Sequence, residues 1–352
     1  MTKAAARTVE PRRLTDFIAA VLSAEGLPEP DAATVASLMV ESDLLGSDGH
    51  GVFRLPRYLD RLRAGGFNPS PNIRIDRERG AMAVIDGDNG FGHLVMKACA
   101  EEAVARARGH GVGWVGAHHS NHAGAASVYA MMPLAHDMIG LYVAVGNANH
   151  MAPWGGIELL LSTNPIAVAV PSAEDGAILL DMATSVSAYG KVKLAAQNGE
   201  PMPEGWMIDS EGHPLTDPER AADGSLLPIG GPKGYGLALI FGLLAGTLNG
   251  AAMGREVVDF NADDHSPTNT GQFIVAIDVA SFTDLGTFKQ EVARVGNEMK
   301  GSALRPGFEA IRLPGERSLS MRKTRLEEGV PVSPPLLDKL NAIAASNGVE
   351  QL

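Results

Sequence analysis

Residues 118–181 read HHSNHAGAASVYAMMPLAHDMIGLYVAVGNANHMAPWGGIELLLSTNPIAVAVPSAEDGAILLD, and five of the ten histidines lie in this stretch. Apolar runs with the composition of β-strands alternate with polar clusters that contain glycine or proline. The clusters are SNHAG at 120–124, PWGG at 153–156 and TNP at 163–165. Such a pattern is typical of a buried site built from loops at the ends of strands.

The sequence on either side mixes helical and strand patterns. A helical pattern over residues 91–110 leads into an apolar strand at 112–117, and FIVAIDV at 273–279 predicts another strand. The charge-free run at 235–254 is long enough to span a membrane, but its five glycines and polar residues favour a buried core helix. Residues 195–230 are polar and rich in turn signals, and we expect them to form a surface excursion. The predicted fold class is mixed α/β.

A dinucleotide fingerprint appears by count, because GVGWVG at 111–116 fits GxGxxG. In a Rossmann fold this motif follows a strand and opens a helix, with the pyrophosphate at the helix N-terminus. Here a helical pattern precedes the motif and a strand pattern runs through it. We therefore interpret these glycines as part of a helix-to-strand turn.

Charge and cysteine content limit the classes of function. The chain of 352 residues has 29 basic and 41 acidic residues, so its net charge is 29 − 41 = −12, which argues against a nucleic-acid backbone as partner. The single cysteine, Cys99, cannot form an intramolecular disulfide. The first residues contain no apolar segment typical of a signal peptide, and we expect a cytoplasmic protein without a membrane span.

Two histidines have neighbours suited to acid/base chemistry. His50 lies between two glycines, Arg54 follows one helical turn later, and His122 lies in a polar loop. A histidine gives and takes protons near neutral pH, and an arginine binds a carboxylate with two hydrogen bonds. His118 and His122 have the spacing of metal ligands on a helix, but the local sequence indicates a loop, so we predict no metal site.

The loop GGPKGYG at 230–236 contains a lysine and opens the apolar helix. It lacks the spacing of a Walker A motif, so it is either a structural turn or an anion contact at a helix start. The residues by themselves thus indicate an enzyme-like site for a small anion, without specifying the reaction.

Nine motifs in order make the chain similar to the malate/L-lactate dehydrogenase type 2 family, from about residue 12 to about residue 345. That family includes ureidoglycolate and sulfolactate dehydrogenases, diketogulonate reductase and piperideine-2-carboxylate reductase. The motifs are GSDGHGVFRLPRY (46–58), SNHAG (120–124), APWGG (152–156), TNP (163–165), LDMATS (180–185), PEGW (203–206), TDP (216–218), GPKGYG (231–236) and PGE (314–316).

The resemblance implies a non-Rossmann fold that binds NAD or NADP. It also implies a homodimer and the interconversion of a small 2-oxo acid and its 2-hydroxy acid by hydride transfer. We expect a helical substrate and dimerisation domain at 1–77 plus 283–352, and an inserted NAD(P)-binding domain at 78–282. Reduction of a cyclic imino acid or another imine stays an alternative. A metal-assisted hydrolase or lyase and a non-catalytic binding protein are alternatives from other classes.

Matching positions imply roles for individual residues. His50 resembles the proton donor and acceptor, with His122 beside it. Arg54 and Tyr58 resemble substrate contacts, with Arg54 as the carboxylate clamp, and Thr163 resembles a further one. The positions that resemble cofactor contacts are His122, Asn147, Asp181, Met182, Ala183, Lys233, Gly315, Glu316 and Arg317.

One position departs from the family pattern. Many relatives have serine directly before the catalytic histidine, where this chain has Gly49. In imine-reducing relatives that serine takes part in a relay to the histidine, so its replacement argues against imine reduction. The replacement also leaves His50 without one orienting hydrogen bond unless Asp48 or Asp181 supplies it, and Asp181 is a candidate catalytic residue as well.

Overall fold

The computed structural model describes residues 7–174 and 176–352. The helices of this part of the chain are α1 (Pro11–Ala24), α2 (Glu29–Leu44), α3 (Leu55–Arg63), α4 (Gly92–His110), α5 (Ala126–Ala130), α6 (Tyr189–Asn198), α7 (Pro232–Ala245), α8 (Leu285–Lys300), α9 (Glu316–Glu328) and α10 (Pro334–Asn347). Its strands are β1 (Arg7–Val9), β2 (Arg74–Arg79), β3 (Met82–Asp86), β4 (Val112–Ser120), β5 (Met138–Ala144), β6 (Ile166–Pro171), β7 (Ala177–Met182), β8 (Met207–Asp209), β9 (Pro214–Leu215), β10 (Gly224–Leu226), β11 (Thr270–Asp278) and β12 (Val330–Val332).

A mixed sheet lies at the centre, with the order β2-β3-β4-β11-β5-β6-β7 among the described strands. Strands β3 and β4 are parallel because helix α4 carries the chain back between them, and the other neighbours are antiparallel. Residues of β11 are buried along most of its length, as expected for a strand covered on both faces. The mixed α/β class predicted from the sequence is confirmed.

Helices cover both faces of the sheet. Helices α4 and α5 pack against one face, with Cys99 and Tyr129 in a buried cluster, and α7 packs against the other near Phe273. No helix of residues 7–174 and 176–352 is long and apolar enough to cross a membrane, and α7 ends at Ala245. The charge-free run thus forms a helix that packs on the sheet, but Ile240 and Leu243 on its outer side are exposed, so the expected core helix is buried on one side only.

A helical layer unites the two ends of the chain. Helices α1, α2, α3 and α10 share one buried apolar cluster, and β1 pairs with β12. This packing supports a helical domain made of N- and C-terminal parts, although the boundaries at 77/78 and 282/283 stay a prediction.

Residues 195–230 form more than a surface excursion. Strands β8, β9 and β10 make a small antiparallel sheet, and Met202, Met207 and Leu226 join a buried cluster with residues from α6 and α7. The apolar side chains in this segment are widely spaced, which is why the sequence pattern suggested only a polar loop.

The GxGxxG motif at 111–116 lies in a helix-to-strand turn, as the sequence analysis proposed. Gly111 ends helix α4 in the left-handed conformation, with φ of +79°, and the remaining glycines lie on strand β4. Glycine adopts that conformation without steric cost. The motif is thus a helix cap followed by a strand.

Candidate active site

The turn that carries His50 rests on a buried carboxyl group. His50 ends a single helical turn, Asp48–His50, that follows helix α2. Asp43 near the end of α2 is buried and accepts a 2.8 Å hydrogen bond from the Val52 N–H. A Cβ atom at Gly51 would lie 2.0 Å from Asp43 Oδ1, so the backbone approaches this closely only because residue 51 is glycine.

Arg54 is held in place by two neighbours. Its Nε donates to the Gly49 carbonyl at 2.9 Å, and its Nη1 donates to Asn261 Oδ1 at 3.0 Å. A guanidinium group has five N–H donors, so these contacts leave others available to a carboxylate. The structure therefore positions a half-buried cation directly after the His50 turn.

Tyr58 lies against His122 and is fully buried. Its hydroxyl is 2.6 Å from His122 Nδ1, and the Gly124 N–H approaches the same nitrogen at 3.4 Å. Burial raises the pKa of Tyr58, so the phenol keeps its proton and donates it to the hydrogen bond. Nδ1 of His122 is therefore the acceptor, and Nε2 carries the proton of the neutral ring.

The two candidate acid/base histidines lie side by side. The rings of His50 and His122 stack with their centroids 5.8 Å apart and an angle of 14° between their planes. The buried Phe260 packs against His122 at 5.5 Å, and the buried His93 meets Tyr58 edge-on at 5.4 Å. These aromatic neighbours form an apolar wall behind the two histidines.

Burial and a neighbouring cation favour the neutral form of both histidines. Desolvation is the main cause that lowers the pKa of His50 to about 4, and the charge of Arg54 adds to it. Desolvation followed by Arg54 also lowers the pKa of His122. His50 as a residue is nevertheless exposed, so water offsets part of the shift. The surroundings of His50, Arg54 and His122 are called the cleft below.

Asp181 links strand β7 to the segment that follows His122. Its Oδ2 accepts a 3.0 Å hydrogen bond from the N–H of Ser127, which lies on α5. Burial raises the pKa of Asp181, and the hydrogen bonds from Ser127 act against that rise.

Several predicted ligand contacts lie along one hydrogen-bonded path. The Thr163 carbonyl accepts bonds of 2.8 Å from both the N–H and the hydroxyl of Thr184, directly after Met182 and Ala183. The Thr184 carbonyl accepts an N–H from the segment just before α7. Lys233 is exposed in the first turn of that helix. The path therefore connects the predicted substrate contact with predicted cofactor contacts.

Residues 315–317 lie beside strand β7. A Cβ atom at Gly315 would be 2.5 Å from the Cβ of Leu179, so the start of α9 packs closely on that strand. Glu316 forms an ion pair of 2.6 Å with Lys300, and Arg317 is exposed. The structure thus places these residues against the strand that carries Asp181 and Met182.

Asn147 is linked to His122 through Phe260. Its carbonyl accepts the N–H of Phe260 at 2.9 Å, and Phe260 contacts His122. Its Nδ2 is buried and has no hydrogen-bond partner within residues 7–174 and 176–352. A buried donor without a partner costs about 1–3 kcal/mol, so a ligand that accepts this bond would stabilise the site.

Neither expected substitute for the serine before His50 orients the His50 ring. The Asp48 carboxylate pairs with Arg325, and the Asp181 carboxylate binds Ser127. Within residues 7–174 and 176–352 neither carboxylate forms a hydrogen bond with His50, and a catalytic role for Asp181 stays a prediction. Stacking on His122 and the turn over Asp43 position the ring instead.

Sequence reasoning missed Asp43, His93, Phe260 and Asn261. Asp43 follows Ala36 and Met39 at helical spacing, so an acidic residue on an apolar helix face could have revealed it. The other three reach the site from sequence-distant segments and give no local signal. His93 has no hydrogen-bond partner for either ring nitrogen in the part of the chain that the structure describes, and burial lowers its pKa to about 3.

Comparison with known proteins gives consistent matches over most of the chain. The family model described as malate/L-lactate dehydrogenase matches residues 9–341. The malate dehydrogenase of Pyrococcus abyssi is 40% identical over 348 residues, which cover 96% of this chain and 94% of that protein. The ureidoglycolate dehydrogenase (NAD(+)) of Escherichia coli (strain K12) is 34% identical over 303 residues, or 86% of each chain. The structure of sulfolactate dehydrogenase from Methanocaldococcus jannaschii superposes with a TM-score of 0.91 at 37% identity and covers 98% of both chains.

Proposed function

This chain belongs to the malate/L-lactate dehydrogenase family, and from that premise we propose that it is an NAD(P)-dependent dehydrogenase of a small 2-hydroxy acid. The reverse reaction reduces the corresponding 2-oxo acid. One observation carries the proposal beyond family membership: Arg54 is held directly beside a stacked pair of neutral histidines, His50 and His122.

Arg54 binds the carboxylate of the substrate in this proposal. The guanidinium group presents its remaining donors at the cleft, and partial burial strengthens a charge-assisted hydrogen bond to an anion. Asn261 and Gly49 fix the direction of the group, so little side-chain entropy is lost when the anion binds. The carbon next to the carboxylate is thereby positioned near the histidines.

His50 is the proton carrier, and His122 is a fixed hydrogen-bond donor. The His50 ring is open to solvent and can exchange its proton with water. His122 has its Nδ1 engaged by Tyr58, and it offers Nε2–H to the substrate oxygen. During oxidation, neutral His50 takes the hydroxyl proton, and during reduction, protonated His50 returns it to the developing alkoxide.

The described residues fit a dinucleotide. The unpartnered Asn147 amide, the exposed Lys233 at the start of α7, and the residues 181–183 and 315–317 along β7 would hold it. Helix starts and lysines favour bound phosphate groups. When bound, the nicotinamide accepts or supplies the hydride at C2. NAD and NADP both remain candidates, and Thr163 with Thr184 connects the two groups of contacts.

The oxidation of a 2-hydroxy acid is favoured over the reduction of an imine. Gly49 cannot provide the side-chain relay of the imine-reducing relatives, and Asp48 is engaged by Arg325. A cyclic imino acid nevertheless belongs in the substrate panel, because the same arginine would bind its carboxylate.

We would first mix the purified, untagged protein with NADH or NADPH and a panel of substrates, and follow the loss of the reduced-nicotinamide absorbance. The panel contains the 2-oxo acids that correspond to malate, sulfolactate and ureidoglycolate, a cyclic imino acid, and the C1 amides of the same compounds, which lack the carboxylate next to the reacting carbon. We expect turnover with at least one 2-oxo acid and none with its amide. Faster turnover of the imino acid would favour the alternative, and equal turnover of the amides would contradict the role of Arg54.

We also propose that the protein is a homodimer formed through α7. A helix that is apolar on all sides is normally buried, yet Ile240 on α7 and Leu248 in the turn that follows it are 55% and 62% exposed. Trp154 and Leu243 extend the same apolar surface, beside a groove of about 640 Å³. A second copy supplies the same apolar surface around a two-fold axis. Sedimentation at twice the 36.8 kDa of one chain is expected, and a monomer at micromolar concentration would contradict the proposal.

A cytoplasmic location stays a prediction from the lone Cys99, which is buried.

A further inference from the structure

Three side chains at the ends of strands β3 and β4 meet outside the cleft of His50. His119 Nδ1 lies 3.0 Å from Asp86 Oδ1 and 3.1 Å from His118 Nδ1. One ligand atom from each of the three residues lies within 4.8 Å of the others. We propose that Asp86, His118 and His119 bind a divalent transition-metal ion such as Zn²⁺ or Ni²⁺.

Two of the three separations come close to those around such an ion, and the third lies within 4.8 Å. Zinc binds histidine nitrogen and carboxylate oxygen at about 2.0–2.2 Å, which puts two ligand atoms of a tetrahedral site about 3.3–3.6 Å apart. The two shorter observed distances need to grow by only a few tenths of an ångström. Two imidazoles and a carboxylate are a ligand set typical of zinc and nickel rather than of magnesium or calcium.

The backbone of His119 is what brings two adjacent histidines together. Successive side chains of a strand point to opposite faces, so neighbours do not normally meet. His119 has φ of +47°, and Asn269 Oδ1 holds this conformation by accepting the His119 N–H at 2.7 Å. The two rings then lie 4.4 Å apart. A non-glycine residue in the left-handed region is uncommon, and such strain is concentrated at functional sites.

Pairing between strands supplies the carboxylates. Asp86 on β3 is directly opposite His118 on β4 in the parallel register. Asp76 lies where the register between β2 and β3 shifts, and its Oδ2 is 3.5 Å from His118 Nε2. A β-bulge redirects side chains, which accounts for an edge-strand carboxylate aimed at this histidine.

The carboxylate of Asp76 would fix the proton of His118. A metal-binding histidine typically donates its other ring N–H to a carboxylate. With the proton on Nε2 facing Asp76, Nδ1 of His118 has a free lone pair towards the cluster. Burial, followed by the proximity of His119, lowers the pKa of His118, and the neutral ring is the form that binds metal.

Arg74 limits the negative charge of the cluster. It pairs with Asp86 Oδ2 and leaves Oδ1 beside His119. The ligand set therefore contains one carboxylate oxygen that is free of Arg74, with Asp76 in reach of His118.

A bound ion would fasten a loop of the active site. The His119 carbonyl accepts the Asn89 N–H at 2.9 Å, and Asn89 Oδ1 accepts the side-chain N–H of Asn121 at 2.9 Å. Asn121 directly precedes His122. We therefore expect metal binding to raise Tm, because the ion binds the folded state and not the separated ligands of the unfolded chain.

Calorimetric titration of the untagged, chelator-treated protein with ZnCl₂ or NiCl₂ tests this site. We expect one ion per chain at the cluster, and binding at least about tenfold weaker in His119→Asn and Asp86→Asn. Asparagine tolerates the left-handed backbone of residue 119 better than alanine does. In these variants the rise in Tm with metal should be lost as well.

Two controls separate this cluster from other histidines. His110→Asn removes an exposed histidine at the end of α4, and His50→Ala removes one from the cleft. Both should retain the wild-type metal affinity. The proposal is overturned if the wild-type protein binds no ion, or if His119→Asn and Asp86→Asn bind with unchanged stoichiometry and affinity.

Discussion

Residues 118–122 carry three histidines, and the chain places them in two unlike environments. His122 is buried against Tyr58 and Phe260, and the charge with the largest effect on its pKa is the cation of Arg54. His118 and His119 lie among carboxylates, and the His119 side chain is 52% exposed.

Backbone geometry, not residue type or spacing, creates this difference. Strand β4 ends at Ser120, and the left-handed His119 turns its ring towards the carboxylates before the chain enters the loop that carries His122. In the cleft, a positive charge and burial oppose protonation, so both rings are neutral at rest and His50 has a free lone pair for a proton from substrate. At the cluster, negative charge favours a bound cation.

The largest expected effect is the loss of turnover in His50→Ala. Removal of a general acid/base lowers kcat by at least about a hundredfold, because no side chain then carries the proton to and from the substrate oxygen. Steady-state kinetics with the best substrate of the panel would measure it.

His119→Asn is the matched control for the comparison of the two environments. It changes a histidine of the same stretch, and in chelator-treated protein, where no ion holds the loop that precedes His122, it should leave kcat at the wild-type value. If kcat falls equally in both variants, the division into a catalytic cleft and a separate cluster is wrong.

Arg54→Lys should have the next largest effect. Lysine keeps the charge but loses the fork that binds a carboxylate, so kcat/KM should fall by roughly tenfold to a hundredfold. The fall in kcat/KM should come mainly from a higher KM, because Arg54 binds the carboxylate in the ground state as well as in the transition state. Equal kcat/KM for the variant and the wild type with a 2-oxo acid would argue that another group binds the anion.

The sequence predicted the main layers of the fold from strongly patterned segments. Helix α4 and strands β4 and β11 have long apolar patterns, and they were assigned correctly within a few residues. Strand β2 was missed because all six of its residues, Arg74–Arg79, are exposed and give no alternation. Helix α9 was missed because its charged sequence buries only Arg325.

The site was only partly predictable for a related reason. His50 and Arg54 are close in sequence, and their spacing was sufficient to bring them together. The contact of Tyr58 with His122 depends on residues 64 positions apart, and that of Arg54 with Asn261 on residues 207 apart. Such contacts follow from the tertiary fold, which no local pattern reports.

The smallest expected effect is a pH-dependent change in stability, and it distinguishes Asp43 under the cleft from Asp86 at the cluster. Desolvation raises the pKa of Asp43 to about 8, with the Val52 N–H acting against that rise. Burial of Asp86 opposes its ionisation, but the Asp88 N–H, His119 and Arg74 outweigh it and lower the pKa of Asp86. The two carboxyl groups should therefore respond to pH with opposite signs.

Between pH 5 and pH 8 the folded protein holds a proton on Asp43 that the unfolded chain has released. The free energy of unfolding contributed by this group thus falls as the pH rises, by up to about 1.4 kcal/mol per pH unit. Asp43→Asn should remove this dependence, so the variant gains stability relative to the wild type from pH 5 to pH 8 in urea denaturation. Asp86→Asn, whose lowered pKa matters only at lower pH, should differ from the wild type by a constant amount over the same range. If the curves of Asp43→Asn and the wild type are parallel, Asp43 is ionised beneath the His50 turn. A buried carboxylate then lies under the cleft as carboxylates lie at the cluster, and the contrast in charge between the two environments is wrong.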